Sequence, residues 1–168
     1  MWFGRAVRRV ARAGSPGVTV VEFALVMPVV FVLLVLFVEA CWQLTVNASL
    51  TYGARVASRF GVTGMTAPAG MTPPPASRED ALRRLVVEAT GLLQASRLSF
   101  TVQSFDSFAA SSDPRLAKTG AGAGGKVQQI TLSYVSPYLT GLPVLFTGSP
   151  TLTHQTALTV LNEPFPTN

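Results

Sequence analysis

The pattern along the chain opens on sixteen residues without a charge, FALVMPVVFVLLVLFV from Phe23 to Val38, with Val18 to Val21 extending the run. A helix rises about 1.5 Å per residue, so Phe23 to Val38 alone covers roughly 24 Å of hydrocarbon and the extended run completes a membrane span. Leu44 to Phe60 has no proline, and Ala54, Ala57, Ser58 and Gly61 fall on one helical face. That spacing predicts a helix continuing past the apolar run, its small-residue stripe packing on its own sheet or on a neighbouring subunit. Val62 to Ala76, VTGMTAPAGMTPPPA, is too rich in proline and glycine for a stable element and reads as a linker.

A second helix follows. Ser77 is placed to cap it, Glu79 and Asp80 suit its first turn, and Leu82, Leu85, Val86, Ala89, Leu92 and Leu93 recur at helical spacing, with Gly91 weakening the end. The period then changes to two. Leu98, Phe100 and Val102 alternate with Ser99, Thr101 and Gln103, and Ile130, Leu132 and Tyr134 alternate with Thr131 and Ser133. These are half-buried strands, and Leu152 to Leu161 is a third. Two long loops intervene, Phe105 to Gly125 and Ser136 to Pro150. In the second, Tyr138, Leu139, Leu142, Val144, Leu145 and Phe146 either complete the core or form an interaction patch. The fold class is therefore α+β: a long N-terminal transmembrane and stalk helix, then a small head of one helix and a roughly three-stranded antiparallel sheet.

Charge changes the picture by its position. The net charge is +5, but four of the 13 Lys and Arg residues, Arg5, Arg8, Arg9 and Arg12, precede the apolar run, leaving nine against the eight Asp and Glu that all lie beyond residue 17. The folded part carries no basic stripe, which argues against a nucleic-acid partner. The arginines orient the span with the N-terminus in the cytoplasm and everything after about residue 42 outside, Trp42 suiting the outer interface. Cys41 is the only cysteine, so no intrachain disulfide is possible, and a buried apolar filler is the expected role. A cleaved secretory signal peptide competes with an anchor, yet the apolar run is long for that purpose and only Val46-Asn47-Ala48 offers a weak cut site.

The junction before the span is more informative. Gly17-Val18-Thr19-Val20-Val21-Glu22-Phe23 places a glycine at the edge of the apolar helix and a glutamate five residues on, which resembles the type IV prepilin processing motif. The resemblance implies a prepilin peptidase cutting between Gly17 and Val18 on the cytoplasmic face, with Glu22 as mature position five. The chemistry agrees independently. A carboxylate at the edge of hydrocarbon is costly without a cation, and cutting after Gly17 creates an α-amino group on Val18, four residues before Glu22. Ser15-Pro16-Gly17 is expected to interrupt helix and present an extended peptide to the protease. Pro28 leaves the Ala24 carbonyl without its usual partner and should loosen the span. Glu39 lies about 100° around the helix from Glu22, so the two form no single site. It is expected to reach water at the outer boundary or to contact a partner helix.

The arginine-rich start, the Gly-x-x-x-x-Glu-Phe junction, Pro28, Glu39, the helix Ala48-Ser49-Leu50-Thr51-Tyr52-Gly53-Ala54-Arg55-Val56-Ala57 and the closing Leu158-Thr159-Val160-Leu161-Asn162-Glu163-Pro164 together resemble the TadE-like pseudopilins of tight-adherence pilus systems. Val18 departs from the aromatic often found at the first mature position, and the middle of the chain carries no matching motif. The resemblance implies a minor pilin in the bacterial inner membrane, single-pass, with a periplasmic pilin-like head. Its implied partners are the prepilin peptidase, other pseudopilins, the major pilin and the assembly platform. The expected division of the chain is a leader (1–17), a transmembrane and stalk helix (18–61), a linker (62–76) and the head (77–168). The other readings are a membrane-anchored binding module unrelated to pili and a secreted protein starting near Ser49.

Catalytic lures fail on context. Gly120-Ala121-Gly122-Ala123-Gly124-Gly125 satisfies G-x-G-x-x-G, but it follows polar loop and opens a strand, and Val127 stands where a P-loop needs Ser or Thr. His154, the only histidine, has no acid or thiol partner near it in sequence, and Asp106, Ser107 and Asp113 belong to no nucleophile or paired-carboxylate pattern. No enzyme, cofactor, metal site or small-molecule substrate is expected.

Overall fold

The computed structural model describes residues 16–164. The first element is one uninterrupted helix, α1 (Pro16–Val62, 47 residues), which continues through Pro28 and is about 70 Å long at 1.5 Å per residue. Pro16 and Gly17 are helical where an extended peptide is expected, and Ser15 lies outside the described residues.

Along α1 burial begins abruptly. Every residue from Thr19 to Leu34 is exposed, and then Glu39, Gln43, Val46, Leu50, Gly53, Ala54, Ala57, Ser58 and Gly61 are buried at spacings of one, three or four. That stripe is the helical period of a face laid on another surface, and the surface is the chain's own. The small residues pack within the protein, with Leu50, Ala54 and Ala57 joining Leu82, Val86, Ile130 and Leu132 in the core.

No helix or strand occupies 63–77. Helix α2 (Arg78–Thr90) starts where the Ser77 hydroxyl accepts from the Asp80 amide at 3.1 Å, and it ends at Gly91, whose left-handed φ of 56° lets its N–H reach the Val87 carbonyl. Its buried face is Ala81, Leu82 and Val86, whereas Leu85 is half-buried and Ala89 exposed, so the expected apolar face is rotated. The crossing with α1 sets the rotation. A Cβ on Gly53 would lie 2.9 Å from side-chain atoms of both Val86 and Thr90, so the two helices are closely packed there, with Val86 turned inward.

Among the described residues the sheet has four strands, one more than the roughly three expected, ordered β2-β1-β3-β4 and antiparallel throughout: β1 (Leu98–Phe105), β2 (Lys118–Thr119), β3 (Val127–Pro137) and β4 (Thr151–Leu161). The additional strand is two residues inside the long loop after β1, too short for alternation to reveal. The alternation elsewhere holds: Leu98 and Val102 of β1 and Ile130, Leu132 and Tyr134 of β3 face the helices. Pro137 pairs with Thr151 at one end of the β3–β4 ladder and Val127 with Leu161 at the other. The connection across the first end includes a six-residue helix, α3 (Leu142–Thr147).

Candidate functional site

Two features of α1 stand out for function: its uncovered apolar half and the point where it enters the head. The apolar half contains an 18-residue window of mean hydropathy 2.9, of which 0% is buried. A helix satisfies its backbone internally, so length, composition and lack of cover are those of a segment compatible with lipid. Glu22 is exposed near its start. Gly17 and Val18 are helical, whereas Arg5, Arg8, Arg9 and Arg12 lie outside the described residues. Cys41 is exposed, which corrects its expected role as a filler. Trp42 is half-buried against the core cluster, on the side of the helix that enters the head.

At the entry point sits a polar cluster assembled from three distant parts of the chain. The Glu39 carboxylate, 4% exposed, accepts from the Leu139 amide at 3.1 Å, the Thr140 amide at 2.8 Å and the Thr140 hydroxyl at 3.1 Å. Gln43, one turn on, donates to Glu39 at 2.8 Å and has its Nε2 3.4 Å from the Pro137 carbonyl. With the amide nitrogen so committed, its Oε1 is the acceptor for His154 Nε2 at 2.9 Å. Partial burial pulls the His154 pKa below its ordinary value, which favours the neutral ring. Glu39 does not reach water, as was expected of a boundary acid; both its oxygens are taken by its own chain.

A buried carboxylate is tolerable when hydrogen bonds replace its hydration, and bonds to an ionised acceptor are among the stronger ones. Here two backbone amides and a hydroxyl supply that replacement, so Glu39 clamps the segment after β3 against α1. The clamp splits the apolar residues of the loop. Pro143 is buried and Tyr138, Leu142 and Val144 are half-buried, while Leu139, Leu145 and Phe146 face outward.

The opposite end of the head explains the glycine-rich lure. Gly120, Gly122 and Gly125 all have positive φ, and a Cβ on Gly122 would fall 2.7 Å from Ser104 Cβ. Asn162, buried after β4, donates to the Ala121 and Ala123 carbonyls at 2.8 and 3.1 Å, and Arg78 bridges the Gly122 and Gly61 carbonyls. Lys126, the residue in the place of a P-loop lysine, is 3.0 Å from Asp106. The run is a tight connection pinned to α1 and β4. Asn162 was not singled out by the sequence, although it lies in the closing segment that carried part of the resemblance.

Comparison with known families decides what the long helix is similar to. Residues 17–59 match the family model of TadE-like proteins. The TadE-like segment begins at the glycine of the proposed cleavage junction and ends inside α1, so it contains the exposed apolar half, Glu39, Gln43 and the buried stripe as far as Ser58. The second helix and the sheet lie beyond it. No curated protein and no solved structure matches the chain. The TadE-like match supports a tight-adherence pilus-associated protein, and the apolar helix is compatible with membrane anchoring.

Proposed function

We propose that this protein is a pseudopilin, or minor pilin, that supports assembly of a tight-adherence pilus from the bacterial inner membrane. Its leader is removed between Gly17 and Val18 by a prepilin peptidase. The apolar half of α1 stays in the bilayer with its N-terminus cytoplasmic, and the head projects outward. Subunits associate through the span, where the new amine of Val18 neutralises Glu22 in the same helix or a neighbour. The head then meets other pseudopilins, the major pilin or the assembly platform. Its role is structural rather than enzymatic.

The observation that carries this reading is the division of α1 inside the TadE-like segment: an uncovered apolar half directly after Gly17, then a face built into the head from Glu39 onward. Pro16 and Gly17 are helical, so cleavage at this junction requires the backbone there to open locally. The same division weighs against a secreted product starting near Ser49. Such a cut would strip Glu39, Gln43 and the buried Val46 from the head, releasing the loop they hold. An anchored module unrelated to pili would keep its leader. Replacing Gly17 by Leu should leave the protein at precursor length in cells carrying the peptidase, visible as slower gel migration than the wild type; unchanged processing would discredit the assigned junction.

A further inference from the structure

The clamp at Glu39 has an outward consequence. Between Pro137 and Pro150 the chain carries no charged residue, and three of its largest side chains are turned away from the core: Leu139 is 57% exposed, Leu145 77% and Phe146 76%. Leu145 and Phe146 lie on α3, and Leu139 lies in the segment whose amides Glu39 binds. Glu39 directly follows the charge-free run that ends at Val38, and Phe37 and Val38 are themselves exposed. Two amides within 3.1 Å of one carboxylate therefore fix the apolar loop at the level where the apolar half of α1 ends.

We propose that this loop and α3 form a lip that dips into the outer leaflet of the same bilayer that α1 spans, with Leu139, Leu145 and Phe146 in its interfacial region and Glu39 turned inward as the tether. The occupant is lipid because the patch lacks charge and is held by Glu39 at the level where the exposed apolar half of α1 ends. A side chain in that zone contacts the headgroup and acyl boundary, as amphipathic surface elements do. The far end of the head, where Val127 pairs with Leu161, stands near Val62 and so about 35 Å up the helix from Glu39. Such a lip would fix the tilt of the head on the membrane before assembly. The inference rests on the anchored reading above and goes beyond it.

The test uses the full chain in phospholipid vesicles, in a Cys41→Ser background, with an environment-sensitive fluorophore on one introduced cysteine. Leu145→Cys and Phe146→Cys are the test positions, Phe37→Cys reports the span, and Ser112→Cys in the loop after β1 reports the distal head. The expected result is blue-shifted emission at the two test positions, with quenching by lipids carrying a shallow nitroxide several-fold above that at Ser112→Cys. If the protein floats with vesicles and Phe37→Cys is quenched while the test positions match Ser112→Cys, the lip is overturned and the anchor stands. Blue-shifted emission without nitroxide quenching would mean that protein covers the patch, which also overturns it. Absence of quenching at Phe37→Cys would overturn the anchor and the lip together.

Discussion

Replacing Glu39 by Ala removes the acceptor for four donors at once: the amides of Leu139 and Thr140, the Thr140 hydroxyl and the Gln43 side-chain amide, all within 3.1 Å. One hydrogen bond to a charged group contributes about 1.5–3 kcal/mol, and a buried donor left unpaired costs about 1–3 kcal/mol. The four are not additive, because Thr140 and Leu139 can turn to water once the loop lets go. The expected loss is therefore about 2–4 kcal/mol, a lowering of the melting midpoint by roughly 10 °C or more for a head of this size. Glu39→Gln should fall between the alanine variant and the wild type, since the amide keeps one acceptor oxygen but sets an NH₂ against at least one donor. Thermal melting of the full chain in detergent micelles measures the magnitude. Hydrogen exchange followed by mass spectrometry locates it, with faster exchange expected across 138–147 and little change in α2. Glu88→Ala, at an exposed position of α2, is the control and should stay within about 0.5 kcal/mol. A Glu39→Ala protein that melts like the wild type and protects 138–147 equally would refute the clamp.

The other predictions concern the helix crossing and pH. Gly53→Leu places bulk where a single Cβ already lies 2.9 Å from Val86 and Thr90, so it should destabilise the head by about 1–3 kcal/mol, read from the denaturant midpoint. For His154, burial lowers the folded-state pKa, so the unfolded chain takes up a proton first and stability is lost as pH falls from the ordinary histidine range toward the lowered value. Melting midpoints at about pH 8 and about pH 5.5 should therefore differ more for the wild type than for His154→Gln, and equal slopes would contradict the partial burial and neutral state of the ring.

Much of the fold was legible because its signals are local. The charge-free run, the two-residue alternation of β1 and β3 and the Ser77 cap each depend on residues within a turn or two of one another, whereas Gly91, expected only to weaken the end of the second helix, stops it short of Leu92 and Leu93. The small-residue stripe on α1 was also visible, and the structure decides its partner as the chain's own sheet and second helix. What was not legible depends on contacts remote in sequence. Glu39 meets Leu139 and Thr140, which lie 100 and 101 residues away, and no pattern around Glu39 announces them. The same holds for Asn162 and the glycine-rich turn. The rotated face of α2 is a further case: Leu82, Leu85, Val86 and Ala89 fit a helical stripe equally well, and only the approach at Gly53 selects which of them face the core. The split within the loop after β3, half core and half surface, follows from the Glu39 clamp and so inherits its invisibility.

The proposed association of subunits depends on a free amine being created beside Glu22 at the cytoplasmic edge of the membrane. Intact-mass and N-terminal peptide analysis of the protein purified from the membranes of a host with an active prepilin peptidase tests this most directly. The predicted product begins at Val18; a membrane-bound chain that still begins at Met1 would contradict the account.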